Sequence, residues 1–308
     1  MKPSTPVLTV YYDRAYTGSA FAFETTRKAS WVADSLGSDP IAGIQLLAPP
    51  PLEWEQVAQV HAPEYVQAIR TGAPRPLAES QSLAWDPGLG PMVLATNGGA
   101  RAAALQALRH GMAGSLSSGL HHARRASGLG YCTFNGLAIA ARAALQAGAR
   151  AVLILDLDAH CGGGTAELIA DEPRVWQQDV SVDDFDHYDS SERVRLHMVS
   201  DSAAYLPQIQ SCLQDVDSSG APFDLCLYNA GMDPHQGSAD GGLEGITTRM
   251  LQDRERLVFD WCRRRALPVA FVLAGGYIGA RLDAAGLVAL HRLTLSAAAA
   301  AAASKRVA

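Results

Sequence analysis

The stretch Ala151 to His160 reads Ala-Val-Leu-Ile-Leu-Asp-Leu-Asp-Ala-His. Its first five residues are apolar without interruption, as expected for a strand that is buried on both faces of a parallel sheet. Leu225–Tyr228 and Val269–Leu273 have the same character, and Val7–Tyr12 is predicted as a further strand. Helix-like stretches occupy residues 100–110, 135–147 and 248–265. This alternation predicts an α/β fold in which helices cover a mostly parallel sheet.

The chain has 308 residues, of which 48% are hydrophobic and 18% are charged. One large domain or two smaller ones would be ordinary at this length. Because the sequence shows neither an internal repeat nor a linker, we expect a single catalytic domain over residues 1–308. The Ala-rich segment 297–308 is predicted to continue a last helix and to fray at its end.

The net charge, the apolar runs and the cysteine content argue against nucleic-acid-binding, membrane and disulfide-bonded classes of protein. The formal net charge is −6, so no surface for nucleic acid or for an anionic membrane is indicated. The apolar run from Val7 to Val10 is too short for a signal peptide or a membrane span. Five cysteines without a Cys-x-x-Cys spacing are typical of reduced thiols. We therefore expect a cytoplasmic protein with no nucleic-acid or membrane partner.

Polar side chains follow three of the predicted strands. Asp156, Asp158 and His160 come directly after the first, Asp233 follows the second, and Tyr277 follows the third after a Gly-Gly pair. Open α/β sheets bind ligands at the carboxyl ends of their strands. The sequence therefore predicts that these side chains converge on one site.

The spacing in Asp156-Leu-Asp-Ala-His160 predicts a metal site. Alternate residues of an extended segment point the same way, so two carboxylates and an imidazole share one side. Such a set suits zinc, and it accepts iron as well. Asp158 and His160 supply two ligands, and Asp233 is the best third, which leaves a position for water. The carboxylates could instead cap a following helix, and Asp233, which precedes Pro234, could form a turn.

Two further groups would complete a hydrolytic site. One imidazole of the pair His121-His122 could take a proton from water and return it to a leaving amine. The hydroxyl of Tyr277 could donate to a developing oxyanion. Ordinary loop histidines and a partly buried surface tyrosine are the alternatives. Taken together, the groups predict metal-assisted amide hydrolysis.

Five motifs together resemble the zinc-dependent histone deacetylase family. They are Gly119–His122, Gly130–Asn135, Asp156–His160, Asn229–Asp233 and Ala274–Tyr277, in the order of the family. The resemblance implies the three-layer arginase/deacetylase fold. The resemblance within the family is strongest to class IV deacetylases, at Asp156–His160, Tyr228–Gly231, Gly241–Leu243 and Arg254–Phe259.

The resemblance also implies a role for each matching residue. Asp158, His160 and Asp233 match the zinc ligands. His122 matches the general base and acid, and His121 matches the histidine that contacts the catalytic water.

Three other positions receive roles in the same way. Asp156 matches the carboxylate that orients His121 and helps to hold a structural potassium ion, to which Ser181 could contribute. Tyr277 matches the oxyanion donor.

The substrate-binding roles are implied at three positions. Gly130 and Tyr131 match the wall of an acyl-lysine tunnel. Asp86 matches a carboxylate at the rim that holds the substrate backbone.

The sequence departs from the family pattern just after His160. Gly163 stands where the family has an Asp or Asn that orients the second histidine, His122. Loss of such a partner typically costs about 10- to 100-fold in metal affinity or activity unless another group or a water replaces it. Cys161 lies beside the ligands, but strand alternation turns it away from them, so we expect a small buried side chain.

Three functions remain open at the level of sequence. The first is a deacylase that removes acyl groups from lysine side chains of proteins or peptides. The second is an amidohydrolase that acts on acylated small amines such as acetylpolyamines. The third, prompted by Gly163, is a catalytically impaired protein that binds acyl-lysine.

Overall fold

All eight strands of residues 8–304, the part of the chain that the computed structural model describes, join one sheet in which every neighbouring pair is parallel. The order across the sheet is β2-β1-β3-β8-β7-β4-β5-β6. The strands are β1 (Leu8–Tyr11), β2 (Ile44–Leu47), β3 (Met112–Ser115), β4 (Ala151–Asp156), β5 (Val175–Ser181), β6 (Val194–Met198), β7 (Phe223–Ala230) and β8 (Val269–Leu273). The predicted α/β class is confirmed, and the sheet is wholly parallel rather than mostly so.

The strands predicted from apolar runs are β1, β4, β7 and β8. Every residue of β4 and β8 is buried, as a strand covered on both faces requires. Val7, the first residue of the predicted Val7–Tyr12 strand, lies outside the described residues. Strands β2, β3, β5 and β6 were not predicted because none of them is a continuous apolar run, and β5 even carries buried polar side chains such as Gln177 and Asp179.

Helices follow or separate the strands. They are α1 (Glu24–Ser38), α2 (Trp54–Val57), α3 (Pro63–Thr71), α4 (Arg75–Ala78), α5 (Leu89–His110), α6 (Gly136–Gln146), α7 (Gly163–Ile169), α8 (Ser202–Ser218), α9 (Thr248–Arg264) and α10 (Ala284–Ala303). The predicted helices correspond to α5, α6 and α9. Helix α5 begins at Leu89 and not at residue 100 as predicted. The additional part contains Gly90, Gly98 and Gly99, and glycines normally weaken a helix. A side chain at Gly98 would overlap the Pro50 carbonyl oxygen, so tertiary packing requires the glycine there.

Two apolar layers enclose the sheet. Val152 and Ile154 of β4 pack with α5 and α6 on one face. Leu153 and Leu155, which alternate with them, pack on the other face with α1, α8, α9 and α10. The result is helix, sheet and helix, as the predicted three-layer fold requires.

Helix α10 includes Ala297–Ala303 of the Ala-rich segment and ends at Ala303. Residues 305–308 of that segment lie outside the described residues, so its fraying stays a prediction. Among the described helices α10 alone is long and apolar enough to cross a membrane by length and composition. Core helices of soluble proteins pass the same test, and α10 packs against α1 and α9.

A buried arginine connects the loops beyond β4 and β7. The guanidinium of Arg254, on α9, donates to the carbonyl oxygens of Leu157 at 3.1 Å and Gly231 at 2.6 Å. It also pairs with the adjacent Glu255 carboxylate at 2.6 Å, which accepts a hydrogen bond from the Tyr228 hydroxyl at 2.8 Å. Both charged side chains are fully buried. This pair therefore fixes the backbone on both sides of the predicted metal ligands.

Replacing Arg254 with Met should lower the free energy of unfolding by about 3–5 kcal/mol, because the Glu255 carboxylate is left buried and unpaired. The double variant Arg254→Met/Glu255→Leu should lose less, since it removes both charges. Urea denaturation measures the three free energies. Arg256→Met, on the exposed side of the same helix, is the matched control and should change stability by less than about 0.5 kcal/mol. A double variant less stable than the single one would contradict this account.

Candidate metal centre

Four neighbouring strand ends build the site. In the sheet, β3, β8, β7 and β4 lie side by side, and because they are parallel their carboxyl ends share one edge. The segment after β3 carries His121 and His122, and the segment after β8 carries Tyr277. The convergence that the sequence predicted is therefore a consequence of strand order.

Asp158, His160 and Asp233 each offer one ligand atom, and these three atoms lie within 4.8 Å of one another. The Nδ1 atom of His160 is 3.1 Å from Asp158 Oδ1 and 3.2 Å from Asp233 Oδ2. All three residues are buried. Two carboxylates and an imidazole in this arrangement suit a divalent metal such as zinc.

The other carboxylate oxygens of the triad are held by backbone amides. Asp158 Oδ2 accepts from the amide of Gly275 at 2.6 Å, and Asp233 Oδ1 accepts from the amide of Ala159 at 3.0 Å. A side chain at Gly275 would overlap Asp233 Oδ2, so only glycine permits this approach. Asp233 Oδ2 itself is buried and accepts no hydrogen bond from the described residues. A buried carboxylate oxygen without a donor is consistent with a metal ligand.

His121 lies against two carboxylates. Its Nδ1 atom is 2.8 Å from Asp156 Oδ2, and its Nε2 atom is 3.6 Å from Asp158 Oδ1. Asp156 also accepts from the Asn229 side-chain amide at 2.8 Å. Burial lowers the pKa of His121, but the negative charges of Asp156 and Asp158 outweigh it and raise the pKa to about 10. At neutral pH the imidazole is therefore protonated on both nitrogens, one of which faces Asp156 and the other His122.

His122 has a carboxylate partner that does not come from position 163. Its Nδ1 atom lies 3.0 Å from Asp186 Oδ2, and its Nε2 atom lies 3.1 Å from His121 Nε2. Burial and the positive charge of His121 lower the pKa of His122 to about 4. Of the possibilities that Gly163 left open, the structure has another protein group in the place of the missing partner.

Tyr277 is 7% exposed, and its ring lies 6.0 Å from the His160 ring. Burial and the nearby carboxylates of Asp233 and Asp158 raise the pKa of its hydroxyl well above the usual value. The phenol is therefore protonated at neutral pH and able to donate a hydrogen bond.

A cavity of about 370 Å³ opens above these groups. The predicted site residues that line it are His122, Gly130, Tyr131, His160 and Tyr277. His121, Asp156, Asp158 and Asp233 lie buried in the same region without lining it. The ring of Phe23 stacks on Tyr131 at 4.2 Å between ring centres.

Asp86 does not line this cavity. Its carboxylate accepts hydrogen bonds from the Ser19 hydroxyl at 2.7 Å and the Ala20 amide at 2.9 Å. It therefore holds the segment before α1. Its role at the substrate rim stays a prediction.

Sequence reasoning missed three residues at the cavity: Phe185 and Asp186 of the β5–β6 loop, and Asp240. Phe185 stands perpendicular to the His122 ring at 5.0 Å, and Asp183 and Asp240 also line the cavity. Asp186 contacts His122, as described above. The signal was the run Asp183-Asp-Phe-Asp186, but without a predicted strand β5 it had no position relative to the site.

Cys161 is fully buried, and its sulfur lies 3.4 Å from the Asp183 carbonyl oxygen and 3.6 Å from the Met198 sulfur. It is not part of the metal-ligand group, as strand alternation predicted. The five cysteines are all buried and unbridged.

Comparison with known proteins places this geometry in a family. A family model described as the histone deacetylase domain matches residues 22–292. An uncharacterized protein of Picosynechococcus sp. is 38% identical over 223 residues, which are 71% of this chain and 74% of that protein.

Two solved structures share the fold. The HDA15 HD domain superposes with a TM-score of 0.80 at 21% identity, over 96% of this chain and 90% of that chain. An acetylpolyamine aminohydrolase from Burkholderia pseudomallei superposes with a TM-score of 0.75 at 17% identity, over 94% and 98% of the two chains. The predicted arginase/deacetylase-like architecture is confirmed, whereas the similarity to class IV stays a prediction. By the family match and its 38%-identical relative, this chain belongs to the histone deacetylase domain family.

Proposed function

We propose that the protein is a zinc-dependent amidohydrolase that removes acyl groups from lysine side chains. The observation that carries the proposal is the buried set of Asp158, His160 and Asp233 beneath a cavity lined by His122 and Tyr277. A zinc ion there, or iron in its place, would supply a Lewis acid that polarises the amide carbonyl and lowers the pKa of water.

The protein's own groups would move the protons. His122 faces the cavity, and its low pKa leaves Nε2 able to accept a proton from the attacking water. The same imidazole then returns a proton to the leaving amine. The Tyr277 hydroxyl, protonated at neutral pH, donates to the oxyanion of the tetrahedral intermediate.

His121 and Asp156 would support that chemistry. The Asp156 carboxylate orients His121 and stabilises its protonated form, which faces His122. We also propose that a potassium ion is held near the Asp156 loop, where the Ser181 hydroxyl lies 3.2 Å from the His160 carbonyl oxygen. Such an ion would offset part of the charge of the buried carboxylates.

The shape of the cavity favours an extended acyl amine. Gly130, Tyr131 and Phe185 form its walls beside His122, so an unbranched chain with an acyl-amide head can be enclosed by ring surfaces. An acyl-lysine side chain in a protein or peptide has this form. The five unbridged cysteines are consistent with action in the cytoplasm.

An acylated polyamine is the second candidate substrate. Asp183 and Asp240 line the cavity, and none of the described residues that line it is Lys or Arg. Two carboxylates at the mouth favour a substrate that carries further positive charge beyond the scissile amide. The acetylpolyamine aminohydrolase of similar fold makes the comparison natural, although at 17% identity that likeness concerns the fold alone.

A substrate panel should separate these functions. The zinc-loaded protein is expected to release amine from acetyl-, decanoyl- or myristoyl-lysine peptides with a higher kcat/KM than from acetylated polyamines. Faster turnover of acetylated polyamines would favour the second candidate. Bound zinc without turnover of any acyl amine would mean that the chain is an acyl-lysine-binding protein instead.

Zinc should stabilise the protein through the three predicted ligands. Zinc at 100 times its Kd would raise the free energy of unfolding by about 2.7 kcal/mol, because it binds only the folded state. Thermal denaturation with and without zinc should show a higher Tm in the metal-loaded protein, and Asp158→Asn or Asp233→Asn should abolish the shift. Asp171→Asn, an exposed carboxylate, is the control and should keep it. A zinc shift that survives both ligand variants would place the metal elsewhere.

The proton-transfer groups should be separable from metal binding. His122→Ala and Tyr277→Phe should each lower kcat by about 100-fold or more, because one removes the base and the other the oxyanion donor. Zinc content, measured by atomic absorption, should stay unchanged since neither residue is a ligand. His110→Ala, which removes an exposed histidine, should keep full activity. Normal turnover in both site variants would exclude this mechanism.

A further inference from the structure

We propose that Asp186 is the positioning residue of His122, and that it enters from the β5–β6 loop through the space that Gly163 leaves open. This assignment rests on the function proposed above, in which His122 is the base. The carboxylate that the family pattern places at position 163 is then supplied by a different segment of the chain.

The contact has the geometry of a carboxylate–imidazole pair. Asp186 Oδ2 lies 3.0 Å from His122 Nδ1, and the two side chains are only 1% and 5% exposed. The same oxygen accepts from the Gly164 amide at 3.1 Å. A buried carboxylate that accepts from Nδ1 keeps the proton there and leaves Nε2, which lies 3.1 Å from His121 Nε2, as the unprotonated nitrogen.

Gly163 and Asp186 occupy adjoining space. A side chain at Gly163 would overlap the Asp186 carbonyl oxygen and lie 2.6 Å from its Oδ1 and 2.8 Å from its Cγ. All three of the nearest atoms belong to Asp186. Any larger residue at position 163 would therefore push the β5–β6 loop away from His122. The Asp186 carboxylate can therefore reach His122 only because position 163, at the start of α7, carries no side chain.

Asp186 has an unfavourable backbone conformation. Its φ angle is 61°, in the left-handed region that non-glycine residues seldom occupy and in which Asp is tolerated better than most. Such a conformation costs free energy, so surrounding contacts must maintain it. The contacts to His122 and Gly164 are two of these.

Arg124 is the third. Its guanidinium pairs with Asp186 Oδ1, and it also binds the Glu167 carboxylate on α7 at 2.8 Å. This pair satisfies the carboxylate oxygen that does not face His122. The Arg124–Asp186 pair also suggests an alternative role for Asp186, which is to anchor Arg124 and the β5–β6 loop without positioning His122.

Kinetics of three variants test the assignment. Asp186→Ala and Asp186→Asn should each lower kcat by about 10- to 100-fold, with KM and zinc content nearly unchanged, because the imidazole loses its fixed tautomer and angle. Arg124→Gln should retain kcat within about threefold, since the contact to His122 is kept. A loss in Arg124→Gln as large as in Asp186→Ala would overturn the assignment in favour of the anchoring role.

A double-mutant cycle tests this dependence of Asp186 on Gly163. Gly163→Ala should lower kcat about as much as Asp186→Ala, and the double variant Gly163→Ala/Asp186→Ala should lose little more than either. Additive losses would mean that Gly163 acts independently of Asp186, and the proposal would be wrong. Asp189→Asn, an exposed carboxylate of the same loop, is the matched control and should keep wild-type kcat.

A measurement without turnover separates this inference from the proposed function. In the metal-free protein, a downfield imidazole N–H resonance assigned to His122 should be present in the wild type and absent in Asp186→Ala. If the wild type hydrolyses no acyl amine but shows the resonance, the proposed function fails and the contact stands. An active wild type whose His122 resonance is unaffected by Asp186→Ala would overturn the contact alone.

Discussion

The structure depends on negative charge that is buried at the carboxyl ends of β4 and β7. Asp156, Asp158 and Asp233 are each at most 3% exposed and lie within one small volume. Unpaired carboxylates in such a position would be very costly, so the surrounding chain must supply compensation. The metal ion proposed for this site would be one source of it. The proton on His121 is another, because the carboxylates raise the pKa of that imidazole to about 10.

Buried cations extend this compensation behind the site. Lys28 is fully buried, and its pKa is lowered to about 8 by burial while the charges of Asp233 and Asp158 act in the opposite direction. Arg254 lies on the other side of the loops, where it binds backbone carbonyls next to the ligands instead of the ligands themselves. Lys28 thus offsets carboxylate charge, whereas Arg254, whose own charge is paired with Glu255, maintains the loop geometry. The backbone amides of Ala159 and Gly275 complete the arrangement, because each fixes one carboxylate oxygen, of Asp233 and Asp158 respectively.

The side chains that face the cavity must meet a second requirement besides charge compensation. The proposed reacting groups have to be held in one orientation and still be accessible to a substrate. His122 is held on one side by Asp186 and lies against Phe185 on the other, so one loop orients the imidazole and walls the cavity at once. The same loop brings Asp183 to the lining, where its carboxylate is available to a cationic substrate. The β5–β6 loop thus links the proposed base to the proposed substrate preference. A change of substrate class would be expected to involve this segment before it involved the metal ligands.

The sequence by itself determined the elements whose residues are consecutive. The apolar run 151–155 identified β4, because a buried strand depends only on local backbone geometry. The strand ends at Asp156, so the contact of Asp158 with His160 forms in bent backbone and not by strand alternation. Tertiary structure alone decided the partners that arrive from distant segments. Asp86 accepts a hydrogen bond from Ser19, in the segment before α1. Asp186 contacts His122 from the loop after β5, a strand that the local sequence pattern did not predict. Gly163 indicated that His122 lacks the partner usual in the family, because that absence can be read from the sequence. It did not indicate that Asp186 takes this place, because tertiary packing determines which distant residue fills the space.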